Sequence, residues 1–121
     1  AENFFQTVIK SKMALNLSRG VPKKHYSSNR IASLLGNGLL TFVDKKTKLN
    51  DFFTKNELVF YNGIDDLSEK LRKYSVDDKK RVKIAKNGWQ KYHSYFNSKE
   101  VAEYIIDRSL EINKKKVIWE Q

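Results

Sequence analysis

The N-terminal half of the chain contains three short apolar runs separated by polar and glycine-containing segments. These runs, at residues 12–17, 39–43 and 57–61, have the length of strands and predict a three-stranded sheet. The run at 39–43 is apolar almost throughout, which is typical of a parallel strand that is covered on both faces. Residues 3–9 and 48–53 have the pattern of a short helix and of a single helical turn.

A helix is predicted between the first two strands. Ile31, Leu34 and Leu35 fall at i, i+3 and i+4, which gives one apolar face. This face is preceded by Ser27, Ser28 and Asn29. The side chains of these residue types accept hydrogen bonds from the free backbone N–H groups at a helix start. Gly36 and Gly38 are expected to end the helix, because glycine tolerates the left-handed conformation.

The C-terminal half has a helical period. One predicted helix has an apolar face formed by Ile64, Leu67, Leu71 and Tyr74. A second predicted helix, at residues 77–96, has an apolar stripe that we expect to face the core. This stripe is formed by Val82, Ala85, Trp89, Tyr92 and Phe96. After a cap at residues 97–98, a third helix is expected to face the core with Val101, Tyr104, Ile105 and Ile112.

This order of elements predicts an α/β fold. Strand, helix, strand, helix, strand and then helices imply right-handed crossovers and a parallel sheet of about three strands, a partial Rossmann-like three-layer fold in a single domain at 1–121. Ligands of such sheets bind outside the carboxyl ends of the strands. That rule selects Arg19 after the first strand and Asp44 after the second, beside the helix start at Asn29 and Arg30.

Composition narrows the function classes. The net charge of +10 comes from 19 Lys and only 5 Arg, and this excess of lysine favours a solvated basic surface over nucleic-acid recognition, which uses arginine. Cysteine is absent, which excludes a disulfide framework and is compatible with the cytoplasm. No apolar run spans a membrane, although the lysines of the second C-terminal helix could attract anionic lipid.

Each candidate residue has a structural alternative. The positive charge of Arg30 in the first turn of a helix interacts unfavourably with the helix dipole unless an anion neutralises it, which favours an anion-binding role. The structural alternative is a surface arginine paired with Asp44 or Glu57. Asp44 could bind a sugar hydroxyl, but a turn-forming aspartate is the favoured interpretation. Arg19 faces either the crevice or solvent. No carboxylate lies at a spacing that would orient His25, so we interpret it as an exposed loop residue.

The order of several motifs resembles the C-terminal half of GT-B-fold glycosyltransferases, in particular the group 1 transferases akin to spore-maturation glycosyltransferases. The matching segments are KMALNLSR at 12–19, Asn29-Arg30 at a helix start, GNGLLT at 36–41, FYN at 60–62 before Asp66-Leu67, and RVKIAKNG at 81–88. The resemblance covers about residues 10 to 108, and its strength lies in the order and spacing of the motifs together.

The resemblance implies a binding site for a nucleotide-diphosphate sugar. In that family the diphosphate lies at a helix N-terminus, and the corresponding residues here are Ser28, Asn29 and Arg30. The family's helix usually carries a ribose-binding glutamate three residues after the arginine, where this chain has Ser33. A serine offers only a neutral hydrogen bond, and catalytic residues are not assigned. No metal site and no cofactor are predicted.

The expected function is hexosyl transfer from the nucleotide sugar to a saccharide or cell-envelope acceptor. About six strands are normal for this half of the family, so we expect a fragment that is inactive alone and whose acceptor binds to an N-terminal half. An uncovered sheet edge would favour a homodimer. Two alternatives remain open: a noncatalytic basic α/β interaction module for nucleic acid or membrane surfaces, and a degenerate transferase.

Overall fold

The computed structural model describes residues 2–18, 20–26 and 29–110. Within them lie five helices and three strands: α1 Glu2–Lys10, β1 Met13–Asn16, α2 Asn29–Gly36, β2 Leu40–Asp44, β3 Val59–Tyr61, α3 Gly63–Val76, α4 Asp78–Tyr95 and α5 Ser98–Leu110. Two 3₁₀ turns, Lys45–Thr47 and Leu49–Asp51, connect β2 to β3.

The three strands form one parallel sheet in the order β1-β2-β3, which confirms the predicted α/β fold. Leu15 pairs with Phe42, and Asp44 pairs with Tyr61. Because the strands are parallel, Asn16, Asp44 and Tyr61 end them at the same edge of the sheet.

Helices cover both faces of the sheet, as a three-layer fold requires. On one face, strand residues such as Phe42 pack with buried residues of α3 and α4; the whole cluster comprises Leu40, Phe42, Val59, Tyr61, Leu67, Tyr74, Ile84 and Ala85. On the other face, Val43 and Leu58 pack with α2 and the second 3₁₀ turn through Ile31, Leu35, Leu49 and Phe53. Phe42 and Val43 are fully buried, so β2 is the covered central strand that its sequence predicts.

Helix α4 is tied to the segment before β3. The Asn87 side-chain amide donates to the carbonyl of Asn56 at 3.1 Å. Gly88 lies so close to the same segment that an added Cβ would be 2.3 Å from the Glu57 carbonyl oxygen. The Asn-Gly pair of α4 therefore fixes the helix against the amino-terminal side of β3.

The predicted apolar face of α4 was partly wrong. Val82 and Trp89 are exposed, whereas the buried positions are Arg81, Ile84, Ala85 and Gly88. Arg81 is buried because its guanidinium donates to the carbonyl of Tyr74 at 3.0 Å and pairs with Asp78 at 2.6 Å. A stripe that includes an arginine and a glycine cannot be found from hydrophobicity.

Other expected core residues are also exposed. Ile64, in the first turn of α3, is 78% exposed, and the inward face of that helix begins at Leu67. Val101 and Ile105 are exposed because α5 buries none of its residues against the described part of the chain. Ile112 lies outside the described residues. At the end of α2, Gly38 has the predicted left-handed conformation with φ of 75°, while Gly36 is still helical.

Candidate functional site

The carboxyl edge of the sheet and the start of α2 meet at one place. The Arg30 guanidinium Nη1 donates to the carbonyl oxygen of Leu17, the residue after β1, at 3.3 Å. This bond joins the first turn of α2 to the carboxyl end of β1. We use the term rim for this place, formed by Asn16, Leu17, Arg30 and Asp44.

Arg30 has no carboxylate partner among the described residues. Its side chain is exposed, and the two acids considered as partners are engaged elsewhere: Asp44 accepts from the Lys46 backbone N–H at 2.8 Å, and Glu57 lies 3.8 Å from Lys91 Nζ. A cation at the positive end of a helix is mildly unfavourable. The guanidinium is thus held at the rim by a backbone carbonyl, with its charge not neutralised by an acid of the described chain.

Asn16 is the most deeply buried polar residue of the rim. It is 3% exposed, and its Oδ1 has no hydrogen-bond partner among the described residues. Asn16 shares a sheet face with Ala14, which packs against Leu34 of α2 and Leu39. An amide oxygen buried without a partner costs free energy, so such groups are uncommon in native structures.

Sequence reasoning did not select Asn16. The available signal was a single amide residue at the end of an apolar strand, directly before Leu17-Ser18. Such a residue is equally consistent with a strand that simply ends at the protein surface. Only the burial of its side chain separates the two interpretations.

Asp44 has the turn-forming role that was favoured. It caps the 3₁₀ turn Lys45–Thr47, and its side chain accepts from the Lys46 N–H. Its neighbour across the sheet is Tyr61. Burial, and secondarily the negative charge of Asp44, raise the pKa of Tyr61 above its ordinary value. The phenol therefore remains protonated at neutral pH.

His25 does have an orienting carboxylate, contrary to the expectation. Its Nε2 lies 2.7 Å from Asp51 Oδ2, its backbone N–H donates to the Thr47 carbonyl at 2.7 Å, and its ring contacts Phe52. The pair is 26 residues apart in sequence and is brought together by the loop after β2. Its left-handed backbone, φ 57°, is also not predictable from the sequence. A carboxylate bonded to one ring nitrogen fixes the tautomer, an arrangement suited to proton transfer.

Comparison with known proteins supplies the family. The glycosyl transferase-like family matches residues 1–107, a span that includes the whole sheet, the rim and nearly all of α5. The chain belongs to this glycosyl transferase-like family. No curated protein and no solved structure gives a significant match.

The glycosyl transferase-like chain places some of the predicted site residues at the same edge of the sheet. Arg30 and Asp44 lie on the rim, and Asn29 is the first residue of α2. Ser33 is half-buried one turn further along α2, where its backbone carbonyl accepts from the Asn37 amide at 2.7 Å. Arg19 and Ser28 lie outside the described residues.

The described residues contain neither a metal-binding cluster nor a membrane-spanning helix. In residues 2–18, 20–26 and 29–110, no three His, Cys, Asp or Glu side chains are grouped in a way that could hold a metal ion. No helix in the same part of this glycosyl transferase-like chain has the length and apolar character needed to cross a bilayer.

Proposed function

We propose that the chain is the donor-binding part of a GT-B glycosyltransferase of the spore-maturation type. In this proposal the rim binds the diphosphate of a nucleotide sugar, and the hexosyl group is transferred to a saccharide or cell-envelope acceptor. Membership of the glycosyl transferase-like family supports the reaction class. The observation that carries the location is Arg30, a cation without an acid partner among the described residues, bonded to the end of β1.

The electrostatics of the rim favour a diphosphate. The first N–H groups of a helix have no intrahelical partners and point toward an anion at the N-terminus. The Arg30 guanidinium can donate two parallel hydrogen bonds to phosphate oxygens. An anion there also removes the unfavourable interaction of Arg30 with the helix dipole, typically about 0.3–1 kcal/mol.

The Arg30 guanidinium and the N–H groups at the start of α2 would also stabilise the leaving group during transfer. When the glycosidic bond to the donor breaks, negative charge accumulates on the departing diphosphate. Positive groups that are already in place stabilise this charge without reorganisation. The rim would therefore accelerate departure of the leaving group as well as bind the donor.

Further contacts to the donor follow from the neighbouring residues. The unpartnered Oδ1 of Asn16 would accept a hydrogen bond from a donor hydroxyl or base N–H, and Ser33 would offer a neutral hydrogen bond to the ribose. Arg19, Ser28 and Asp44 remain proposed contacts to the diphosphate sugar. Catalysis would require an acceptor-binding half in addition, so this chain is proposed to bind donor without turnover.

The proposal is tested by calorimetric titration of the chain with UDP-, GDP- and ADP-sugars. Saturable binding of one nucleotide class is expected, and Arg30→Gln should weaken it by about tenfold, since a charged bidentate contact is lost. Arg72→Gln is the matched control, because Arg72 is also exposed but lies on α3. Absence of saturable binding by every nucleotide sugar, or an equal loss in both variants, would overturn the proposal.

The degenerate transferase is the second candidate, and Ser33 is the observation that favours it. In a protein that also carries the acceptor-binding half, Ser33→Glu should create or strongly raise transfer activity if the ribose contact was lost. Robust and equal activity of both forms would eliminate this candidate.

A further inference from the structure

A concave groove at the outer edge of β3 collects five lysines. It encloses about 650 Å³ between α3, α4 and the segment before β3, and its cations are Lys55, Lys70, Lys73, Lys80 and Lys83. We propose that this groove, which we call the lysine groove, is a second anion site that binds a small ligand carrying several phosphate charges. None of the rim residues Asn16, Leu17, Arg30 and Asp44 lines the groove, so the two sites are distinct.

The charge of the lysine groove is of one sign. No Asp or Glu is among its lining residues. Five of the chain's 24 lysine and arginine residues thus line one concavity. Clefts lined by charges of one sign concentrate the electric field and raise the local concentration of counter-ions.

Most of these lysines lack an acid partner. Lys70 is neutralised, because its Nζ lies 3.0 Å from Asp66 Oδ2 and donates to the Phe60 carbonyl at 2.7 Å. Among the described residues, the other four lysines of the groove form no salt bridge. The nearby acids Asp77 and Asp78 are directed to other groups: Asp77 caps α4 at the Lys80 N–H, and Asp78 pairs with Arg81.

The floor of the lysine groove strengthens its attraction for an anion. It is formed by buried side chains, Leu58, Val59, Tyr74 and Ile84. An apolar floor excludes water from one side of a bound anion, which lowers screening relative to a flat surface. The Lys73 ammonium lies over the Tyr74 ring, 5.5 Å from its centroid, and this contact holds it beside the floor.

Shape and cation type select the ligand class. The volume lies within the range of small-molecule sites, roughly 300–1,000 Å³, and a concavity presents little area to a planar membrane or a duplex. Lysine ammonium groups are mobile point charges that suit phosphate without demanding a fixed orientation. A linear oligophosphate or a phosphorylated saccharide satisfies both conditions, and the phosphate charges are the chemistry they share.

The test compares two triple variants of equal net charge by calorimetric titration with inorganic triphosphate. The groove variant is Lys73→Gln, Lys80→Gln, Lys83→Gln; the control is Lys10→Gln, Lys12→Gln, Lys99→Gln. All six side chains are exposed, so both variants should fold, which circular dichroism verifies. The same titrations are run in Arg30→Gln, which weakens binding at the rim. A phosphorylated hexose and anionic phosphatidylglycerol vesicles serve as separate arms.

The groove variant should bind triphosphate about tenfold more weakly, while the control changes less than about twofold. Triphosphate affinity that is unchanged in Arg30→Gln and weakened in the groove variant supports the proposal independently of the donor site. Tighter binding of the phosphorylated hexose than of inorganic triphosphate would support the proposal with a phosphorylated saccharide as the ligand. Equal losses in both triple variants, no saturable triphosphate binding, or binding to vesicles alone would overturn it.

Discussion

Gly88 provides the sharpest test of how the fold is held together. A Cβ at this position would be 2.3 Å from the Glu57 carbonyl oxygen and 3.3 Å from a methyl group of Leu35. The first distance is more than about 1 Å short of ordinary contact. Gly88→Ala therefore requires the helix or the segment before β3 to move.

Neither side can move without loss. Two hydrogen bonds to Thr54 fix Glu57 in place. The Glu57 backbone N–H donates to the Thr54 carbonyl, and the Glu57 carboxylate accepts from the Thr54 N–H at 2.8 Å. Leu35 and Leu58 are fully buried. Overpacking costs about 1–3 kcal/mol, and a clash with a backbone oxygen, which cannot rotate away, places Gly88→Ala in the upper part of this range, at about 2–3 kcal/mol. The higher helix propensity of alanine returns about 1 kcal/mol. We expect the free energy of unfolding to fall by about 1–2 kcal/mol.

Gly36→Ala is the matched control. Gly36 is also helical, but a Cβ there would meet nothing within 4 Å. The free energy of unfolding of the Gly36→Ala variant should rise by about 0.4–1 kcal/mol, because alanine restricts the conformations of the unfolded chain. Urea unfolding, followed by circular dichroism and Trp fluorescence, measures both. If Gly88→Ala were as stable as wild type or more stable, the close packing of α4 on the Glu57 segment would be wrong.

Three further predictions concern the core, an acid and the rim. Phe42→Ala should lower the free energy of unfolding by about 3–5 kcal/mol, since Phe42 is fully buried, whereas exposed Ile64→Ala should change it by less than about 0.5 kcal/mol in the same urea experiment. The backbone N–H of Asn62, and secondarily Lys70, hold the pKa of Asp66 below its ordinary value of 3.8. The ionised Asp66 carboxylate therefore contributes fully to stability above pH 3.8, and this contribution is lost as the pH falls through the lowered pKa. Urea unfolding should therefore show wild type more stable than Asp66→Asn at neutral pH, and this difference should shrink in acid; a difference independent of pH would contradict the assignment. Asn16→Leu should leave the free energy of unfolding unchanged or raise it by up to about 1 kcal/mol while weakening nucleotide-sugar binding, and a large destabilisation without change in affinity would mean that Asn16 is structural.

The sheet could be predicted from local pattern because β2 buries both faces. Continuous apolar character at 39–43 and the helix period at Ile31, Leu34 and Leu35 each report directly on burial. The alternation of these elements then fixes a parallel topology. Strand ends were less exact: β3 begins at Val59 rather than residue 57, because Glu57 is used in a turn with Thr54.

The packing of α4 and α5 could not be predicted in the same way. Arg81 lies on the inward face of α4, and its charge is satisfied by the carbonyl of Tyr74 and by Asp78. Gly88 lies on the same face, where only a residue without a side chain fits beside Glu57. Trp89, the largest apolar residue of the predicted stripe, is 42% exposed. These choices depend on partners that are distant in sequence.

The rim was predicted in part. The helix start at Arg30 and the strand end at Asp44 follow from the rule that parallel strands share one carboxyl edge. The buried amide of Asn16 and the His25–Asp51 pair follow from burial and loop closure, which no local pattern encodes. Polar residues at the ends of apolar strands therefore merit attention as candidate ligand contacts.

The most direct test of the donor site is a two-dimensional NMR titration of the chain with the nucleotide sugar that binds most tightly. The account predicts saturable shifts of the backbone amides at residues 16–18 and 29–31, which need about tenfold more ligand in Arg30→Gln and are unchanged in Arg72→Gln. Shifts confined to the lysine groove, or none that saturate, would contradict a donor site at the rim.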